Sequence, residues 1–171
     1  MELIKLAGTG MILCASLWAG LHAALGLRRT HEQLRDLIAA LELISSEILF
    51  ASTPFVRLCK RAGEGRCAGV RRFFEILARE GAKQEGFAPC LTRSASAEAG
   101  LILPESALLP LERLFDGFGA FDLDGQLAQL RLASAELGRL SEEFSGQLEG
   151  RCRSYTVLGL TAGAAVLVLV I

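Results

Sequence analysis

The stretch from Asp122 to Ile171 constrains the fold of this chain most strongly. Apolar residues recur there at alternating spacings of three and four, charged residues fall mostly between them, and no proline interrupts the stretch. This spacing predicts a long amphipathic helix with one apolar face. The apolar stripe comprises Leu130, Ala133, Leu137, Leu140, Phe144 and Leu148. Asp122 can accept hydrogen bonds from the first turn, which predicts that the helix starts there.

Two segments near the ends carry no formal charge, from Leu6 to Leu27 and from Tyr155 to Ile171. About 20 apolar residues in a helix are enough to cross a hydrocarbon core roughly 30 Å thick. We therefore expect transmembrane helices at 1–27 and 155–171, with a helical head at 28–154 between them. The rival interpretation of the first segment is a cleaved secretory signal.

The positive charges beside these segments predict the orientation of the head. Arg28 and Arg29 follow the first segment and Arg151 and Arg153 precede the second, whereas only Lys5 lies near the far ends. Positive charge favours the cytoplasmic side, so we expect the head in the cytoplasm of a two-span protein. Acidic and basic residues nearly balance across the whole chain, which gives no electrostatic footprint for nucleic acid.

The first helix of the head is predicted to start at Thr30, because Thr30 and Gln33 form a capping-box pattern. Its apolar stripe contains Leu34, Leu37, Leu41, Ile44 and Ile48. This stripe resembles the stripe of the final helix in spacing. We expect the two stripes to face each other in an antiparallel stalk.

Proline and glycine mark the shorter helices. Thr53 and Pro54, as a cap and a first helical residue, predict a second helix that ends at 63–65. A third helix is expected from Val70 to near Gly81 with Phe73 and Phe74 as core anchors, a fourth around 89–99, and a fifth with Pro104 as its first residue despite Pro110. No segment alternates as a half-buried strand does. The predicted fold is an all-α antiparallel bundle of about six helices.

The sequence offers little catalytic chemistry. It has two histidines, and five cysteines without C-x-x-C spacing. Two of the cysteines lie in or beside the apolar end segments, and we expect the other three to be reduced and mostly buried. No phosphate loop, nucleophile motif or metal-ligand set occurs, so we expect neither an enzyme nor a cofactor. Glu47 is the most interesting charge because it stands among Ile44, Ile48 and Phe50. It either decorates a solvated helix face, or it is buried and either paired with a basic residue or capping a neighbouring helix, so that it fixes helix packing or contacts a partner.

The chain resembles the stage III sporulation protein AB family. The resemblance is carried by L-W-A-G-L from Leu17, Q-L-R-D-L-I-A-A-L from Gln33, S-E-I-L-F-A-S-T-P-F from Ser46, F-D-L-D-G-Q from Phe121 and the terminal L-G-L-T-A-G with its apolar tail. Within these stretches lie the candidate structural or partner-contact residues, namely Gln33, Arg35, Glu47, Thr53, Pro54, Asp122 and Gln126.

The resemblance implies a head similar to the cytoplasmic domains of the inner-membrane platform protein of type II secretion and type IV pilus machines. It implies a non-enzymatic subunit of the channel complex between mother cell and forespore, with the head in the mother-cell cytoplasm. The implied partners are a secretion-type ATPase, other membrane subunits of the channel and the lipid bilayer, and a homo-oligomer is possible. The alternative function is a membrane-tethered signalling or sensor subunit whose stalk transmits motion.

Overall fold

The computed structural model describes residues 2–51, 54–82, 91–116, 118 and 122–170. Side chains are described for residues 18, 22, 25–50, 54–82, 91–115, 118 and 122–146. The helices are α1 (Glu2–Ala51), α2 (Phe55–Gly63), α3 (Ala68–Gly81), α4 (Leu91–Ala99), α5 (Glu105–Asp116) and α6 (Leu123–Val170). The described residues contain no strand, so the all-helical prediction is confirmed.

The chain divides into two compact units. One unit, which we call the central bundle, spans Thr30–Glu143. The other, the terminal unit, combines Met1–Arg29 with Phe144–Ile171. The predicted head, 28–154, is longer than the central bundle, and its domain boundaries stay predictions.

No helix in the described part of the chain is long and apolar enough to cross a membrane. The predicted transmembrane helices at 1–27 and 155–171 fall largely on residues whose side chains lie outside the described set.

The predicted helix start at Thr30 is wrong, because α1 runs without interruption from Glu2 to Ala51. Thr30 lies inside this helix and is buried, so its backbone does not need a cap there. A capping-box pattern indicates a helix start only where no helix precedes it. Here the apolar residues before Thr30 continue the helix.

The apolar stripes of both long helices are buried in the central bundle. Leu34, Leu37 and Ile44 are fully buried in α1, as are Leu130 and Leu137 in α6. That the two stripes face each other stays a prediction. Such burial contributes about 1.5 to 3 kcal/mol for each large apolar side chain, so these stripes are a main source of stability.

Three phenylalanines join the shorter helices. Phe73 and Phe74 of α3 and Phe115 of α5 are fully buried, as the sequence predicts for the first two. The ring centroid of Phe115 lies 5.9 Å from that of Phe73 and 6.2 Å from that of Phe74, with the rings edge to face. This is the arrangement that aromatic quadrupoles favour.

The turns between the short helices follow the glycine and proline signals. Gly65 and Gly100 have φ values of 71° and 70°, in the left-handed region that side chains disfavour. The carbonyl of Pro104 accepts hydrogen bonds from the N–H groups of Ala107 and Leu108, at 2.9 and 3.2 Å, and α5 follows. Pro110 lies inside α5, where it cannot donate the helix hydrogen bond to the carbonyl four residues earlier. The predicted fourth helix is confirmed from Leu91, while residues 89–90 lie outside the described residues.

Candidate functional site

The candidate residues occupy three places in the fold. Gln33, Arg35 and Glu47 lie on α1, Pro54 precedes α2, and Asp122 and Gln126 lie at the start of α6. Thr53 lies outside the described residues. The described geometry does not gather these residues into one pocket, and each is best understood by what it contacts.

Gln33 connects α1 to the segment between α4 and α5. Its Oε1 accepts a hydrogen bond from the N–H of Ile102 at 2.8 Å. A Cβ on Gly69 would lie 3.2 Å from Gln33 Nε2 and 3.1 Å from Leu101 Cδ2, so the lack of a side chain at Gly69 lets these groups approach. The side chain therefore positions the chain after Gly100, a role different from the capping box that the sequence predicts.

Asp36, which lies one helical turn after Gln33, is a contact residue that the sequence analysis missed. Its Oδ2 accepts a hydrogen bond from the N–H of Cys67 at 2.6 Å. Cys67 is the cap residue of α3 and makes no side-chain cap of its own. A carboxylate near a helix start is also favoured by the helix dipole. The signal that could have revealed Asp36 is its spacing of three from Gln33, which puts both polar side chains on one face of α1.

The environments of Cys59 and Cys67 keep the thiols of these two residues protonated. Burial raises the pKa of Cys59 to about 12. Burial also raises the pKa of Cys67, and the hydrogen bond and charge of Asp36 and the charge of Glu32 raise it further. Because the thiolate is the reactive form, both thiols are poor nucleophiles at neutral pH.

Glu47 forms an ion pair with Arg61, in the last turn of α2. The distance from Glu47 Oε1 to Arg61 Nη1 is 2.5 Å, and the side chains are 15% and 52% exposed. This geometry matches the paired alternative for Glu47 rather than the solvated one. Since Arg61 is half exposed, water screens the pair and limits its contribution to stability.

An exposed apolar surface, which we call the apolar tip, lies beside this ion pair. It consists of Leu49 and Phe50 at the end of α1 and Pro54 and Phe55 before and at the start of α2. Phe50 is 84% exposed and Leu49 is 50% exposed. The ring of Phe55 packs against Phe118 with centroids 4.9 Å apart. Two large exposed apolar side chains in succession, as at Leu49 and Phe50, make this a candidate interaction surface.

Pro54 and Asp122 both precede helices. Pro54 is the last residue before α2, whereas the sequence predicts it as the first residue of that helix. Its carbonyl accepts hydrogen bonds from the N–H groups of Arg57 and Leu58 at 2.9 and 3.0 Å. Asp122 Oδ1 accepts a hydrogen bond from the N–H of Gly125 at 3.1 Å, as expected of a cap. The backbone N–H of Gln126 donates a hydrogen bond to the Asp122 carbonyl at 2.9 Å.

The remaining candidate, Arg35, is exposed on α1.

No group of three or more His, Cys, Asp or Glu within the described residues could hold a metal ion. What the described geometry does define is an all-helical bundle protein in which polar side chains join helices and an apolar tip faces solvent.

Residues 5–171 match the family model of stage III sporulation protein AB. The chain belongs to this family. A solved structure titled "Stage III sporulation protein AB (SpoIIIAB)" is similar in fold, with a TM-score of 0.63 and 20% sequence identity over 71% of this chain and 97% of that chain. None of the curated proteins matches the chain.

Proposed function

We propose that this protein is a membrane-anchored, non-enzymatic platform subunit of the sporulation channel complex between mother cell and forespore. Family membership implies a role in sporulation and is the basis of the proposal. In this role the two apolar end segments anchor the chain in the lipid bilayer, and the head engages a secretion-type ATPase and other channel subunits from the mother-cell cytoplasm.

The observation that carries the docking part of this proposal is the apolar tip. Phe50 leaves 84% of its surface in water, although burying a phenylalanine contributes about 1.5 to 3 kcal/mol. The ion pair of Glu47 and Arg61 lies one turn before Phe50 and joins α1 to α2. An exposed phenylalanine gains free energy when another apolar surface covers it, which favours a protein partner.

Binding of the purified ATPase to the full chain in nanodiscs tests this assignment. Phe50→Ser should weaken binding roughly tenfold or more, because the phenylalanine would no longer be buried against the partner. Ile102→Ser is the matched control, since Ile102 is also apolar and 53% exposed but lies between α4 and α5. Equal effects from the two substitutions, or none from Phe50→Ser, would contradict the assignment. Absence of ATPase binding by the unaltered chain would favour the sensor alternative.

Topology is best tested with an engineered cysteine, because Cys59 is a poor reporter. Cys59 would resist a membrane-impermeant thiol reagent through its burial and raised pKa on either side of a membrane. Ala97→Cys places a thiol at an exposed position of α4. We expect this cysteine to react only after permeabilisation of spheroplasts. Reaction in intact spheroplasts would contradict a cytoplasmic head.

A further inference from the structure

A shallow groove between α5 and α6 is separate from the apolar tip. It is lined by Pro110, Arg113, Gln129, Leu132, Ala133 and Glu136. Pro110 and Ala133 are buried, whereas Leu132 is 53% exposed. The groove therefore contains an apolar side chain, Leu132, that the fold of a single chain leaves uncovered.

The charges in this groove are of both signs. Arg113 comes from α5 and Glu136 from α6, and among the described residues neither makes an ion pair. Two exposed arginines elsewhere in the bundle pair with carboxylates, Arg93 with Glu112 and Arg139 with Glu143. The charges of Arg113 and Glu136 are thus available to a molecule that occupies the groove.

Because Arg113 and Glu136 carry opposite charges, the groove favours an occupant that offers both an acidic and a basic group. An acidic surface would satisfy Arg113 but repel Glu136, and a basic surface would do the reverse. A second copy of this chain, related by a two-fold axis, satisfies both charges at once, because an isologous interface repeats each contact twice. We propose that this groove is a homodimer interface in which Arg113 of each copy pairs with Glu136 of the other.

In this dimer, Leu132 of one copy packs against Leu132 of the other between the paired charges. The apolar contact supplies most of the affinity and the ion pairs set the register. The inference rests on the central bundle alone and does not depend on the proposed docking of an ATPase to the apolar tip.

Pairwise mixing of charge-reversed variants tests the proposal. Full-length chains in mild detergent, labelled with donor or acceptor dyes on an amino-terminal tag, would report pairing by energy transfer. Arg113→Glu alone should raise the dimer dissociation constant about tenfold or more, because two attractive pairs become two repulsive ones. Glu136→Arg alone should do the same. Mixing the two variants should restore pairing, since each mixed dimer regains both attractive pairs.

Arg57→Glu is the matched control, because Arg57 is exposed on α2 and lies outside the groove. This reversal should leave the dissociation constant unchanged. Restoration by mixing also separates lost contact from lost folding, since a misfolded variant would not be rescued by its counterpart. The proposal is overturned if the unaltered chain does not pair, if Arg113→Glu pairs normally, or if the mixture pairs no better than either variant alone.

Discussion

Polar side chains join helices in two parts of the central bundle, and they do so in different ways. Between α1 and α3, the carboxylate of Asp36 accepts a hydrogen bond from the backbone N–H of Cys67 in a partly buried position. Between α4 and α5, Arg93 reaches Glu105 and Glu112 at 2.6 and 2.7 Å, and the side chains of Arg93 and Glu105 are 46% and 63% exposed. In the contact between α1 and α3 the donor is a backbone N–H group, whereas the contact between α4 and α5 joins side chains at the surface of the bundle.

This difference determines how much each contact contributes to the stability of the fold. The N–H of Cys67 belongs to a helix start, where the backbone has no partner within its own helix. Loss of Asp36 would leave that donor unsatisfied while still partly buried, which is costly. Loss of Arg93 would return the exposed carboxylate of Glu105 to water and leave the less exposed carboxylate of Glu112 to be solvated from one side. We therefore expect the α1 to α3 contact to matter more to stability, although apolar packing should exceed both.

The largest effect is expected from the aromatic cluster. Phe73→Ala should lower the free energy of unfolding by about 3 to 5 kcal/mol, through lost burial and a residual cavity. Thermal unfolding of the full chain in detergent, followed by circular dichroism, measures this effect. Arg72→Ala, at the exposed neighbouring position, should change it by less than about 0.5 kcal/mol. A smaller loss from Phe73→Ala than from any polar substitution below would reverse the expected order.

Asp36→Ala should have the second effect, a loss of about 1 to 3 kcal/mol from the unsatisfied donor at the start of α3. Asp36→Asn should cost less, because the amide oxygen can still accept the hydrogen bond. Both substitutions should lower the pKa of the Cys67 thiol, since the hydrogen bond and charge of Asp36 raise it. The rate of alkylation of Cys67 as a function of pH measures this shift.

Arg35→Ala provides the control for Asp36, because Arg35 is the exposed neighbour on the same helix. It should change the free energy of unfolding by less than about 0.5 kcal/mol. Equal losses from Arg35→Ala and Asp36→Ala would mean that the hydrogen bond to Cys67 does not stabilise the start of α3.

Glu47→Ala should have a smaller effect, a loss of about 1 kcal/mol or less, because its partner Arg61 is half exposed. Glu47→Gln should be milder still. Glu42→Ala, at an exposed position of the same helix, is the control for helix propensity. A loss of about 3 to 5 kcal/mol from Glu47→Ala, the cost of breaking a buried pair, would show that the pair is shielded from water.

The smallest effect is expected from Arg93→Ala, and it should depend on pH. The hydrogen bonds and charge of Arg93 hold the pKa of Glu105 below its usual value. A lowered folded-state pKa stabilises the fold above the ordinary pKa of the carboxyl, and this stabilisation disappears as pH falls through the folded-state value. The difference in melting temperature between the unaltered chain and Arg93→Ala should therefore be largest near neutral pH and vanish in acid. A difference that grows in acid would contradict this account.

Much of the fold could be predicted because its signals are local. Asp122 as a cap, the buried Phe73 and Phe74, and the end of α3 at Gly81 were all expected from spacing and residue type. The exception is Thr30. Its capping-box pattern predicts a helix start, but α1 continues through this residue. The roles of the candidate residues were harder to predict, because a residue's partner depends on distant parts of the chain.

The sequence by itself determined where most of the helices of the central bundle lie and which of their faces are apolar. Periodicity, caps, glycine and proline act over a few residues, and those few residues are enough to fix them. Only the tertiary structure decided which polar side chains meet. Asp36 and Cys67 are 31 residues apart in sequence, and Gln33 and Ile102 are 69 apart. A hydrogen bond over such a separation exists only when packing of the intervening helices brings donor and acceptor within about 3 Å, and no local pattern encodes that distance.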